Sequence, residues 1–579
     1  MSVIRVVRKF GQILSAHQKK RILELAVLMV IGGLLETCSV SLMLPFMNAV
    51  MNAPETMNQK YVKLVCSFLN LQSSREFLLA AAIALAAVYI LKNIYLLLEY
   101  HIQYQFVYGN MLAVQKKLLA SYISRPYEYF LKINSGEIMR IIHNDTSSTF
   151  SLLVTVLNLF TELVVSGMLT AAIFVIAPAE TLLIAAVLLV MVFVIDMTIK
   201  PVLMKSGIAA QDSYAGMNKW LMQSIQGIKE VKVMGTEQFF QEKYHVNGNI
   251  YIKSLRISQI LNLMPRFFIE AASIGTMFLA IAAFIYHGRE PESIIPMLSA
   301  VALAAIRLLP SVNRISGALA AIAYTEPMLD KLAENLEDIT AQAGEINSAV
   351  CSGFDKFEKS IEFSHVTYQY PKSESPVLNC ADMIIRRGTS VGIAGPSGAG
   401  KTTAADIMLG LLKPQSGTVL ADGKDIFEDI RGWHAQTGYI PQSIFMLDDT
   451  VRANVAFGIP EQEISDEQVW KALEEASLAD FVRALPNKLD TQMGERGVRL
   501  SGGQRQRIGI ARALYRSPDI LIFDEATSAL DNETESAIME SVNRLHGKKT
   551  MIIIAHRLTT IEGCDEIYRV EGGKIVRER

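Results

Sequence analysis

Gly395-Pro396-Ser397-Gly398-Ala399-Gly400-Lys401-Thr402 decides how the second half of the chain folds. A glycine, four free positions and then Gly-Lys-Thr is the spacing of a loop that wraps phosphate groups. The apolar run over residues 390–394 precedes it, and residues 403–409 read as a helix. That strand, loop and helix order gives the glycines a purpose. Lacking Cβ atoms, they let backbone N–H groups close around phosphate oxygens. The helix start adds partial positive charge. On this reading Lys401 reaches the β- and γ-phosphates, and the Thr402 hydroxyl ligates Mg²⁺.

Further signals follow downstream. Gly438-Tyr439-Ile440-Pro441-Gln442 ends a strand, with Gln442 in the loop beyond it. Its neutral amide can ligate Mg²⁺ or hold a water without adding charge. Gly494-Glu495-Arg496-Gly497 comes next, and then Leu500-Ser501-Gly502-Gly503-Gln504 opens a helix over residues 504–515. The free N–H groups at that helix start form an anion site. Residues 520–525 read as a buried strand ending in two carboxylates. Asp524 suits the Mg²⁺ shell, and Glu525 is placed to polarise an attacking water. Ser528-Ala529-Leu530-Asp531 follows, and residues 551–556 form another strand with His556 at its end, read as a γ-phosphate contact. Upstream, Tyr370 stands before Pro371, 25 residues ahead of the phosphate loop. Its ring is placed to stack on adenine.

The 579 residues exceed one compact core, so several domains are expected. The apolar share is 51 % and mean hydropathy is +0.28, high for a soluble protein. A net charge of −2 gives no bulk attraction to nucleic acid. Cys38, Cys66, Cys351, Cys380 and Cys564 are scattered and match neither a zinc pattern nor a disulfide framework. The basic start leads into a long apolar segment without a small-residue cleavage site, so no cleavable leader is expected.

Hydrophobicity concentrates before residue 325. Six segments are long and apolar enough to span a bilayer, near 22–48, 77–107, 148–177, 180–203, 256–287 and 291–322. Lys/Arg placement sets their orientation. The N-terminus and the connections after the second and fourth spans are basic, and the turn at residues 177–180 has no positive charge. The N-terminus, both long connections and everything after the sixth span are therefore expected in the cytoplasm. Short transverse helices are expected near residues 127–134 and 235–240. Tyr61, Leu64, Val65, Phe68 and Leu69 repeat at helical spacing between the first two spans. They imply a short amphipathic helix, either a cap on the spans or a membrane-surface helix.

Lys92, Arg266, Arg307 and Arg314 fall inside expected spans. A basic residue at mid-depth costs about 2.5–3.5 kcal/mol on insertion scales, so each needs a partner, water or a ligand. Glu270 lies one turn after Arg266, and Glu36, Glu99 and Asp196 are also embedded. Two readings stay open, a structural ion-pair network and a wet cavity that receives an anionic substrate. A polar stretch, 326–358, is expected to link a membrane domain (1–325) to a soluble α/β domain (359–579).

Residues 360–579 resemble the nucleotide-binding domain of ABC transporters, with Leu500–Gln504 as the family-specific element. The first half is similar to type IV exporters. The resemblance implies a polytopic α-helical membrane domain of six spans fused to a P-loop ATP-binding cassette, with ATP and Mg²⁺ as cofactors. It implies nucleotide contacts at Gly395, Pro396, Ser397, Gly398, Ala399, Gly400, Lys401, Thr402, Thr403, Ser501, Gly502, Gly503, Gln504 and Asp531. Ser501 and Gly503 of one protomer then touch the ATP held by Lys401 of the other, so a homodimer is expected. Glu525, His556 and Gln442 match the hydrolytic pattern.

The segments 264–270 and 307–315 look like those of bacterial flippases for lipid-linked oligosaccharides. That subgroup implies a polyprenyl-pyrophosphate glycan as substrate, membrane lipids as surroundings and the bacterial cytoplasmic membrane as location. Lys92 lies where the subgroup has an arginine. Arginine forks suit pyrophosphate oxygens better than lysine does. The rivals are an exporter of another lipid, a drug or a peptide, and a non-transporting regulatory ATPase or ATP-gated pore.

Overall fold

The computed structural model describes residues 2–579 except 52, 60–61, 64–65, 68–72, 177, 287–290, 347–355, 372, 495–496, 526–531 and 556. It divides into two compact units. One comprises Met1–Arg125 and Ile133–Ala343, the other Pro126–Lys132 and Gly344–Arg579.

The first unit is helical. A short amphipathic helix, α1 (Ser2–Ile13), buries Val6 and Phe10 and exposes Ile4 and Val7. Six long helices follow: α2 (Ala16–Ser41), α3 (Ser74–Ser124), α4 (Thr146–Ile176), α5 (Pro178–Gln226), α6 (Glu237–Tyr286) and α7 (Pro291–Ile346). Among the described residues, Ala16–Ser39, Ser74–Ser124 and Gly136–Ala171 are long and apolar enough to cross a membrane. The start of α3 is fixed by a capping box, in which Ser73 and Glu76 each accept the other's backbone N–H. Its end falls at Arg125, whose extended backbone is what a following proline imposes.

α3, α5, α6 and α7 outrun the hydrophobic segments. α5 and α6 pack along each other, with the rings of Tyr214 and Tyr251 5.5 Å apart. The first expected transverse helix is present over Tyr127–Phe130. The second is displaced from residues 235–240 to Ile228–Met234, because Gly235 takes a left-handed φ of 63° and closes that helix. Residues 326–346, read as linker from their polarity, continue α7 as helix. The expected outer helix rests on Tyr61, Leu64, Val65, Phe68 and Leu69, which lie outside the described residues.

The second unit carries two sheets. The antiparallel one runs in the order β2-β1-β4-β5, from β1 (Ser360–Tyr368), β2 (Leu378–Arg386), β4 (Ser416–Ala421) and β5 (Lys424–Asp425). The other has the order β10-β9-β3-β8-β7-β6. Its members are β3 (Ser390–Ala394), β6 (Thr437–Ile440), β7 (Ile520–Asp524), β8 (Thr550–Ile554), β9 (Glu566–Glu571) and β10 (Lys574–Arg577). Every residue of β3, β7 and β8 is buried, as central parallel strands covered on both faces require. This sheet brings the motifs together. The phosphate loop, the stretch that includes His556, the Asp524-Glu525 pair and Gln442 all follow the carboxyl ends of the adjacent parallel strands β3, β8, β7 and β6.

Candidate active site

The phosphate loop joins β3 to α8 (Lys401–Met408). Two of its glycines are required by geometry. A Cβ on Gly395 would lie 2.4 Å from the Val570 carbonyl oxygen. Gly400 caps α8 at φ +104°, and a Cβ there would lie 2.8 Å from Val377. The buried Lys401 ammonium donates to the Gly395 and Pro396 carbonyls, each at 3.0 Å. Those two bonds hold its charge within the phosphate loop, where a phosphate would meet it.

Across the loop, the Thr402 hydroxyl lies 3.5 Å from Asp524 Oδ1, and the Tyr439 hydroxyl the same distance from Oδ2. Burial, and then the charge of Glu525, push the Asp524 carboxyl above its ordinary range. Asp406, on α8, is pushed up to about 6 by burial and by Asp524. Asp524 thus stands within electrostatic reach of two further carboxylates and of the Lys401 ammonium. Such an oxygen-rich, acid-heavy group fits Mg²⁺ beside a nucleotide, with Thr402 and Asp524 as ligands.

Glu525 turns out of β7 at φ +50°. Its N–H donates to the Ile554 carbonyl at 3.0 Å, and its carboxylate accepts from Gln442 Nε2 at 2.7 Å. The pairing sets the two side chains together beyond neighbouring strands, where one water could be oriented and polarised. His556 and Asp531 lie outside the described residues.

Ser501 is the N-cap of α9 (Gly502–Tyr515). Its hydroxyl accepts from the Gln504 N–H at 3.2 Å, and the Gln504 side chain accepts from the Ser501 N–H at 2.9 Å. This capping box holds the helix start open, with Ser501 and Gly502 exposed and Gly503 buried. Arg512, on the same helix, donates to the carbonyls of Phe445 and Asn454, both at 2.8 Å. It ties the loop after Gln442 to α9. Burial lowers its guanidinium to about 10.

Tyr370 is tethered. Its hydroxyl pairs with Thr403 Oγ1 at 3.1 Å, and its ring meets that of Tyr368 edge-on at 5.1 Å. Tyr368 in turn donates to Glu128, in the Pro126–Lys132 segment, at 3.2 Å. A continuous set of contacts therefore runs from that segment to the first turn of α8. Sequence reading missed Tyr368, Tyr439, Asp406 and Arg512. Asp406 alone left a trace, as a lone acid in the small and apolar helix behind the loop.

The basic residues of the helical unit differ from one another. Arg314 pairs with Glu162 of α4 at 2.8 Å, a partner that spacing along its own helix does not reveal. Arg266 is exposed and, among the described residues, forms no ion pair with Glu270 or another acid. Lys92 is half-buried, its ammonium 5.0 Å from the centre of the Tyr89 ring. Arg307 lies on α7, with its side chain outside the described residues.

Comparison with known proteins decides the family. The model of the ABC transporter transmembrane region matches residues 26–306, and that of the ABC transporter matches residues 378–528. A lipid A-core flippase of Photorhabdus laumondii is 31 % identical over 80 % of this chain and 79 % of its own. The chain belongs to the ABC transporter family.

A second such flippase, from Methylobacillus flagellatus, is 32 % identical over 65 % of this chain, and the match spans only 63 % of the relative's length. A solved bacterial Atm1-family ABC exporter with ATP bound superposes with a TM-score of 0.73. It covers 97 % of this chain and 95 % of its own at 24 % identity, which establishes the exporter fold. This ABC transporter joins a membrane-embedded helical region to a cassette of the kind that uses ATP with Mg²⁺. Bound ATP and Mg²⁺ supply the phosphoryl group and its charge-neutralising metal.

Proposed function

We propose that two copies of this chain flip a polyprenyl-pyrophosphate-linked oligosaccharide from the cytoplasmic to the outer leaflet of the bacterial inner membrane. The six long helices of each copy cross the bilayer, with the N-terminus and cassette in the cytoplasm. In the cassette, Lys401 and the loop N–H groups hold the phosphates, Tyr370 meets adenine, and Thr402, Gln442 and Asp524 surround Mg²⁺. Glu525 polarises water, and His556 contacts the γ-phosphate. Asp531 and the Ser501–Gln504 turn complete the nucleotide contacts. Arg266, Arg307, Arg314 and Lys92 receive the pyrophosphate.

The observation that carries this reading is Arg266. It is an exposed guanidinium without an acidic partner among the described residues, in a helix of the transmembrane region. Such a charge is expensive in hydrocarbon and is offset by water and an anionic ligand. The names of the relatives support a second reading, in which the cargo is a lipid A-core glycolipid. Proteoliposomes distinguish the two. Polyprenyl-pyrophosphate oligosaccharide should stimulate ATP hydrolysis and be flipped. Stimulation by lipid A-core alone, or by drugs and phospholipids alone, would sink the first reading.

The dimer has its own test. Ser501 is exposed at the start of α9, where a partner's nucleotide can reach it. Ser501→Arg should abolish hydrolysis in the pure variant. Equal mixing with wild type should leave about a quarter of the activity if random pairs form and both sites are needed. Activity of one half fits either pairs whose two sites work independently or separate monomers, and a monomeric mass of the active transporter in sedimentation would then count against the assembly.

A further inference from the structure

We propose that Glu99 is a proton-binding site within the transmembrane helices, occupied in the arrangement seen here and emptied when the site is hydrated. Glu99 lies on α3 and is only 4 % exposed. Its Oε2 is buried and has no hydrogen-bond partner, and among the described residues the side chain forms no ion pair. The place is shaped for it. Gly32 of α2 faces the carboxyl, and a Cβ there would lie 2.2 Å from Oε2 and 3.3 Å from Leu96 Cδ2. A side chain at position 32 would thus fill the space that the acid takes.

The charges around it offer no cation. Glu36 on α2 lies within electrostatic reach, as do Tyr95 and Tyr100 on α3 itself. Glu162 on α4 is met by Arg314 of α7. Of the short helices that also pack on α3, Met43–Met51 carries no titratable side chain and Ala53–Asn58 carries Glu55. The π-turn Arg140–Asp145, a further neighbour of α3, holds Arg140 and Asp145 paired to each other, with His143 beside them. Among the described residues, then, Glu36 and Glu99 share one region with no cation bound to either. A carboxylate with one oxygen sealed off and unpaired loses hydration there without compensation, and the neutral acid does so at a much smaller cost. A proton is the smallest ligand that removes the charge, and the notch at Gly32 has room for little more.

One step of site chemistry follows. When α2 and α3 separate enough to admit water, the O–H bond of Glu99 breaks, the carboxylate keeps the electron pair and water accepts the proton. Closure reverses the step. The full-length transporter in lipid nanodiscs tests this by difference infrared spectroscopy and by thermal unfolding. Wild type should show the carbonyl stretch of a buried, protonated carboxyl at neutral pH, and Glu99→Gln should lose that band. Because glutamine mimics the neutral acid, Glu99→Gln should also unfold at the wild-type temperature. Gly32→Ala, which crowds the carboxyl, should shift the band. A spectrum unchanged by Glu99→Gln would overturn the assignment. So would a marked loss of stability in that neutral isostere, since it would mean that the native group carries charge.

Discussion

Glu525→Gln is expected to bind ATP like wild type and to hydrolyse it about 10²–10⁴-fold more slowly, the range that a positioned general base contributes. The substitution is close to isosteric. Its amide oxygen can still accept from Gln442, whose Nε2 lies 2.7 Å from the native carboxylate. The unusual φ of +50° and the N–H bond to Ile554 belong to the backbone and stay as they are. What changes is the charge that draws a proton from water. Asp524 remains to hold Mg²⁺ with Thr402, so nucleotide affinity should be kept. Phosphate release and nucleotide binding, measured on the same purified sample, separate the two effects. Turnover within a few-fold of wild type would remove Glu525 from the catalytic role.

The cassette chemistry was legible because it is written in short, local patterns. A phosphate loop needs glycine where a Cβ would strike Val570 or Val377, and those glycines stand at fixed spacing from Lys401. Central parallel strands are uniform apolar runs, so Ile520–Asp524 and Thr550–Ile554 announce themselves and point to the groups at their ends. The contacts that escaped reading join distant positions. Tyr368 looks like a strand tyrosine until its bond to Glu128, 240 positions away, is seen. Arg512 looks like an exposed helix cation, yet it binds carbonyls of Phe445 and Asn454. Helix ends were misjudged for a different reason. Polarity marks where a helix leaves the hydrocarbon, not where it stops, so α7 runs on through residues 326–346. At Gly235 the conformational freedom of one glycine, rather than any shift in polarity, ends the transverse helix.

The pair formed by Arg314 and Glu162 yields the second large effect, and it separates architecture from transport. Glu162 is mostly buried, and its Oε2 is without a hydrogen-bond partner, whereas Arg314 is 57 % exposed. Removing the arginine strands a buried acid, a loss of about 1–3 kcal/mol for an unsatisfied group and more if it stays charged. Arg314→Ala should therefore lower both thermal stability and flipping. Taken alone, that result fits a structural ion pair as well as a substrate contact. Arg314→Ala combined with Glu162→Gln resolves it, because no buried charge is left over. Stability should return close to wild type, and basal ATP hydrolysis should persist because the cassette is untouched. Flipping of the pyrophosphate-linked glycolipid should stay at least about 10-fold down, because a desolvated guanidinium–phosphate contact of some 1.5–3 kcal/mol has gone. Glu162→Gln alone leaves the guanidinium unopposed and should flip at least as well as wild type. Recovery of flipping in the double variant would mean that Arg314 serves only to neutralise Glu162. The pyrophosphate would then have to be held by Arg266 and its neighbours without it.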